Sequence, residues 1–170
     1  MPHSGSALTT TRCPPCSGWH FGNWPSGCCT LDLQLTDVTV RLRRITKAVA
    51  PDLVAIKAVG PEVASTLLMT AGDNPDRLSS ESAFAALCGS NPIPASSGKT
   101  TRHRLNRGGD RQANAALWRI VFVRLGCDER TRDYVAKRPA EGKSKAEIMR
   151  CLKRYVAREV YAALPRDVLG

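Results

Sequence analysis

Pro92 to Arg124 reads PIPASSGKTTRHRLNRGGDRQANAALWRIVFVR, and the change of period inside this stretch decides the fold. After Asp110, Ala113, Ala116, Leu117, Ile120, Val121 and Leu125 fall at i, i+3, i+4, i+7, i+8 and i+12, the apolar stripe of one amphipathic helix. Arg111, Arg119 and Arg124 lie off the stripe, and Gly126 marks its end. Ahead of Asp110 the helical period is missing. Asn91-Pro92-Ile93-Pro94 demands extended backbone, because residues before proline avoid the α region. Thr101-Arg102-His103-Arg104-Leu105 alternates as a short β-ribbon edge does, and fits an extended loop equally well. Gly108-Gly109 breaks the chain before the helix starts. Between Lys99 and Arg124 seven Lys or Arg residues face a single acid, Asp110, a net of +6 in 26 residues. Ser97, in Ala95-Ser96-Ser97-Gly98, sets a small hydroxyl nucleophile beside this cationic tract. The plain alternative is a polar surface loop ahead of a core helix.

Helical periods continue on both sides. Downstream, Asp128 caps a helix over Glu129–Arg138, which Pro139 and Gly142 break. Ser144 with Glu147 forms a capping-box pair that opens a last long helix, closed by Pro165. Ile148, Cys151, Leu152, Tyr155, Val156 and Val160 read as its buried side. Lys145, Arg150, Lys153, Arg154 and Arg158 read as a basic outer side, of the kind solvent usually covers. Upstream, Ser80 caps a short apolar helix ended by Gly89. Leu53 to Leu68 holds two apolar runs joined by Val59-Gly60-Pro61, with Pro61 in the first turn of the second helix: a helix-hairpin-helix pattern. Backbone N–H groups at Gly60 would suit a DNA phosphate; an ordinary corner between two helices uses the same residues. Gly72 to Asp76 forms a turn cluster.

Further upstream, Leu31, Leu35, Val38, Leu42, Ile45 and Val49 repeat every three or four residues, a heptad seam that Pro51 stops. A dimerising coiled-coil arm and a single helix docked on its own core both fit that seam. Residues 1–30 are rich in Pro, Gly, Ser and Thr without periodicity, and read as a disordered leader. Cys13-Pro-Pro-Cys16, His20 and Cys28-Cys29 resemble zinc ligands in part. The second half lacks a matching Cys-x2-Cys, so no metal ligands are assigned.

Composition narrows the functional classes. Lys and Arg number 25 against 15 acids, a net charge of +10, which favours a polyanionic partner. A hydrophobic fraction of 42% in 170 residues suffices for one real core. No apolar run approaches the roughly 20 residues that cross a bilayer, and the N-terminus lacks a signal-peptide pattern. A cytoplasmic, non-membrane protein with reduced cysteines is the expectation.

Read in order, the motifs resemble one family. Val59-Gly60-Pro61, Gly72-Asp73, Phe84-Ala85-Ala86-Leu87-Cys88-Gly89, Pro92-Ile93-Pro94-Ala95-Ser96-Ser97-Gly98-Lys99, Arg107-Gly108-Gly109-Asp110-Arg111-Gln112-Ala113-Asn114, Gly142-Lys143-Ser144 and Cys151-Leu152-Lys153-Arg154-Tyr155 are similar to the C-terminal domain of insertion-sequence transposases of the 110/116/902 group. The resemblance runs from Leu31 to Leu164, the heptad helix matching the family's linker helices. It implies that Ser97, before Gly98, is the serine that links covalently to DNA during strand exchange. It also implies an N-terminal RuvC-like domain whose acidic residues hold Mg²⁺, and a structured guide RNA as partner beside DNA. That acidic domain is missing from the sequence. The expectation is therefore a truncated transposase, inactive alone, with no cofactor of its own.

The expected protein is mainly α. A leader (1–30) and a heptad helix (31–50) that serves homo-oligomerisation precede a transposase C-terminal domain (51–165) and a tail (166–170). The domain carries the helix-hairpin-helix-like element and at most a short β-ribbon. Nucleic acid would meet Gly60, Lys99, Arg102, His103, Arg104, Arg107 and Arg111. Two other functions fit the same residues: a standalone nucleic-acid-binding protein without catalysis, and a helical dimerisation module.

Overall fold

Helix α1 (Trp24–Val49) runs the length of the heptad seam and is followed at once by α2 (Pro51–Ala55). The computed structural model of the chain describes residues 24–95 and 103–165, with side chains described from Thr30 onward apart from Arg77. Helix α1 begins at Trp24, not Leu31, so residues 24–30 of the expected disordered leader are helical. Extending an existing helix adds one hydrogen bond per residue fixed, which is far cheaper than nucleating a new one. Two units divide at Val38, and everything from Thr39 onward belongs to the second.

That second unit is built around α5 (Arg111–Cys127), the helix foreseen from the stripe after Asp110. It packs against α3 (Pro61–Gly72), α6 (Glu129–Lys137) and α7 (Lys145–Ala163). Helix α4 (Glu81–Leu87) packs on α7, and α2 touches both α3 and α7. Short 3-10 turns at Pro75–Arg77 and Arg138–Glu141 complete the helical path. Ala113, Ala116, Leu117, Ile120 and Val121 are buried as their spacing requires, and they meet Leu53, Leu67, Phe84 and Val160 in one core. The Tyr161 hydroxyl donates to the Leu78 carbonyl at 3.0 Å while its ring lies 6.0 Å from that of Phe84, which fixes α7 over α4.

Of the ribbon and the extended loop that both fitted the sequence, a short ribbon forms. Strands β1 (Ile93–Pro94) and β2 (His103–Arg104) pair antiparallel, Ile93 with Arg104 and Pro94 with His103. Ser144 and Glu147 make both bonds of the foreseen capping box at the start of α7.

Helix α7 departs from expectation in which side it buries. Ile148, Leu152, Val156 and Val160 are inside as read, but Tyr155 is exposed and Cys151 half-buried. Ala157 and the charged Lys153 are buried instead. The cause is docking. Helix α7 lies against α4 and the start of α5, so its buried arc turns toward residues 153 and 157 and away from 151 and 155.

Candidate nucleic-acid interface

The two ends of the ribbon meet at a junction made by glycines and amides. Gly89, after α4, has φ +63°, a left-handed conformation that glycine adopts without strain. Gly109 packs directly on it: a Cβ added at Gly109 would stand 2.2 Å from the Gly89 nitrogen and 2.8 Å from the Leu87 carbonyl oxygen. That approach lets the Asp110 N–H donate to the Leu87 carbonyl at 2.7 Å. Asp110 then caps α5 by accepting from the N–H groups of Gln112 and Ala113. The Asn106 amide donates to the Ala86 carbonyl and accepts the Gly108 N–H. On the outgoing side Ser90 and Asn91 both donate their N–H to the Ala85 carbonyl. Strand β1 leaves, and β2 returns, through one fixed base.

A buried cation completes the junction. Asn114, on α5, donates to the Cys88 carbonyl at 2.7 Å and accepts from the Lys153 ammonium at 2.8 Å. Lys153 is only 7% exposed, and burial, aided by nearby Arg150, lowers its pKa from the usual lysine range. Cys88 is pushed up to about 12, chiefly by burial and secondarily by Asp110, so its thiol is inert at neutral pH.

Beside this base, ribbon and α7 enclose a groove of about 480 Å³. Arg104, Arg150, Arg154, Arg158 and Lys143 supply cations to its walls, against one lining carboxylate, Glu147. Some of that charge is already matched. Glu81 pairs with Arg154 at 2.6 Å and with Arg158 at 3.0 Å; its carboxyl lies below the usual range, first through the bond from Arg158. Lys143 pairs with Glu141 at 2.8 Å, and Glu147 accepts from Ser144. Arg150 stands 4.0 Å from Glu147, and Arg104 has no ion-pair partner among the described residues. The groove cation without an ion-pair partner among the described residues is therefore Arg104, while Arg150 makes only the long pair with Glu147.

A second groove, of about 670 Å³, lies between α5, α6 and α7. Most of its charges are paired internally: Lys57 bonds Asp128 at 2.9 Å and Arg124 bonds Glu159 at 2.6 Å, while the exposed Arg130 has no ion-pair partner among the described residues.

The model of the Transposase IS116/IS110/IS902 family matches residues 50–136, just over half of the 170-residue chain. The chain belongs to this transposase family. No curated protein matches it. The match takes in α2 to α6, with the ribbon and its junction, and stops short of both α1 and α7. Membership supports a role in DNA transposition and recombination.

Within the transposase domain the sequence-predicted residues separate. His103 and Arg104 sit exposed on β2 and line the first groove. Arg107 is exposed on the link to α5, and Arg111 on its first turn. Gly60 lies at the start of α3 and lines neither groove. Ser97, Lys99 and Arg102 lie outside the described residues. Arg119 and Arg124, counted in the cationic tract, are engaged elsewhere, by Glu62 and by Glu159. Sequence reading missed Arg150, Arg154, Arg158 and Tyr155 as groove residues. Arginines at i, i+4 and i+8 form one row along a helix, so the signal was visible. The spacing could not say that the row faced a ribbon.

The Mg²⁺ implied by the family finds no home among the described residues, which contain no group of three or more His, Cys, Asp or Glu placed to hold a metal ion. Asp110 is an N-cap, and Asp73 and Asp76 are exposed turn residues. No helix among the described residues is long and apolar enough to cross a membrane.

Proposed function

We propose that this chain is the DNA-binding, serine-bearing domain of a transposase, and that it does not recombine DNA without acidic residues brought from elsewhere in the polypeptide or in trans. The observation that carries this reading is the unpaired Arg104, with Arg150 held only at 4.0 Å by Glu147, in a groove directly beside the ribbon. In the sequence Ser97 comes three positions after Pro94, the last residue of β1. The family's nucleophile position thus follows in sequence on the ribbon that borders this groove. A serine hydroxyl is a weak nucleophile until a base, metal or positioned cation activates it; Arg104 and His103 are the described candidates for orienting a phosphate there. Lys99, Arg102, Arg107 and Arg111 would extend the same cationic surface along DNA or a structured guide RNA. Gly60 would serve as a separate phosphate contact if the α2–α3 hairpin works as a helix-hairpin-helix. Glu62 in the first turn of α3 opposes a phosphate there, and its pair with Arg119 offsets part of that repulsion.

Gel shifts at two salt concentrations test the binding, with Arg104→Ala and Arg107→Ala weakening it across all sequences. Absence of any shift at low salt overturns the reading. For Ser97, the test is trapping a covalent protein–DNA adduct after supplying the acidic domain. An adduct that persists in Ser97→Ala removes the serine from the mechanism.

Homo-oligomerisation through α1 is a second reading with an observation of its own. Seam residues Leu31, Val38, Ile45 and Val49 are 59%, 59%, 56% and 52% exposed. Burying such a seam against a second copy is what heptad spacing does. Light scattering over a concentration series should show a dimer; a monomer at every concentration removes the arm.

A further inference from the structure

The groove beside the ribbon is not uniformly polar. Among its cations stand an exposed aromatic ring and an apolar wall: Tyr155 is 45% exposed and Leu105 is 47% exposed, with Pro92 next to them. A site for phosphate alone needs no such wall. We propose that this groove takes a single unstacked nucleotide from a single-stranded segment, its base against Tyr155 and its phosphate on Arg104 and Arg150. The proposal rests on the nucleic-acid-binding reading above and names the form of substrate that this part of the surface accepts.

Size, surface chemistry and charge agree on that occupant. A volume of about 480 Å³ falls in the range of clefts that hold small organic ligands and far exceeds what one anion fills. Proteins that hold single strands combine a cationic track with aromatic side chains, because every base offers a face for stacking. The Tyr155 ring is steadied from behind. It meets Tyr134 edge-on at 5.7 Å and 83°, and Tyr134 lies under the Arg138 guanidinium at 4.3 Å. Asn91 lines the same groove, and its side-chain amide makes no hydrogen bond among the described residues, so it is available to a base edge. The neighbouring amide of Asn106 is already engaged at both ends. The larger second groove also borders Tyr155, but two carboxylates, Asp128 and Glu159, line it and tie up Lys57 and Arg124, which leaves phosphate Arg130 alone.

The test compares a short oligothymidylate with an abasic strand of equal length and charge, and with duplex DNA, on the full chain. The wild-type protein should bind the thymidylate about tenfold more tightly than the abasic strand, the order expected for one base stacked on an aromatic ring. Tyr155→Leu keeps the side chain apolar and should bring that ratio close to unity. Tyr155→Phe should retain it. Arg150→Gln should weaken both strands together and leave the ratio standing. An oligouridylate arm shows whether the groove prefers DNA or RNA, and a preference for bases in either strand supports the proposal. Equal binding of the thymidylate and abasic strands overturns it, as does a ratio undiminished in Tyr155→Leu; duplex binding would then persist and the proposed function would stand. Failure to bind any strand or duplex at low salt overturns both.

Discussion

Gly109 shows how one residue can hold a site together while touching nothing that reacts. Its missing Cβ is what lets the link between ribbon and α5 lie on Gly89, and the Asp110 N–H reach the Leu87 carbonyl. Gly109→Ala would press a methyl group into backbone, where no side chain can move aside. We expect a loss of roughly 3 kcal/mol or more, at the upper end of overpacking costs, seen as a lower urea midpoint. Gly108→Ala is the control, because its added carbon would meet only the Asn106 side-chain oxygen at 3.5 Å. Asp128 makes a second prediction, on pH. Its carboxylate is held well below the usual range, first by the Thr131 hydroxyl and then by Lys57. The folded value is depressed, so the stabilisation is fully present above the unfolded carboxylate value of 3.8 and is lost as pH falls through the folded value. Asp128→Asn keeps an acceptor for the cap and removes the charge. Its urea midpoint should lie below that of the wild type at pH 7, and the gap should narrow progressively under acid conditions.

At the scale of elements, capping was the most legible feature. Ser80, Asp128 and Ser144 all cap the helices their sequence positions predict, because a cap depends on residues within one turn. Ser144→Ala removes one side of the α7 capping box and should cost about 1 kcal/mol in equilibrium unfolding. Since α7 carries Tyr155 and the arginine row, fraying its first turn should also disturb the groove near Lys143 and Glu147. The sidedness of α7 was not legible. A stretch with apolar residues at 148, 151, 152, 155, 156 and 160 permits more than one buried arc. The choice was made by partners distant in sequence: Asn114, which takes Lys153 inward, and Glu81, which draws Arg154 and Arg158 toward α4.

At the scale of the whole molecule, the charge excess divides into paired and unpaired portions. DNA affinity should fall steeply with salt, and removing Arg104 or Arg107 should flatten the slope of log affinity against log salt by about 0.9 for each phosphate no longer neutralised. Arg119→Ala, whose side chain already pairs with Glu62, should leave the slope unchanged. Titrations at several salt concentrations separate these outcomes. A net charge of +10 says that a polyanion is welcome but not where it goes. The helical class, the element boundaries near their caps and the family's motif order were determined by the sequence itself, since each depends on neighbours within a few residues. Which cations remain free, which face of α7 meets the ribbon, and that Tyr155 stands in a groove rather than a core were decided by the tertiary structure. Those properties depend on residues far apart along the chain, such as Lys153 with Asn114, 39 positions away, and Arg158 with Glu81, 77 positions away, which no local period encodes.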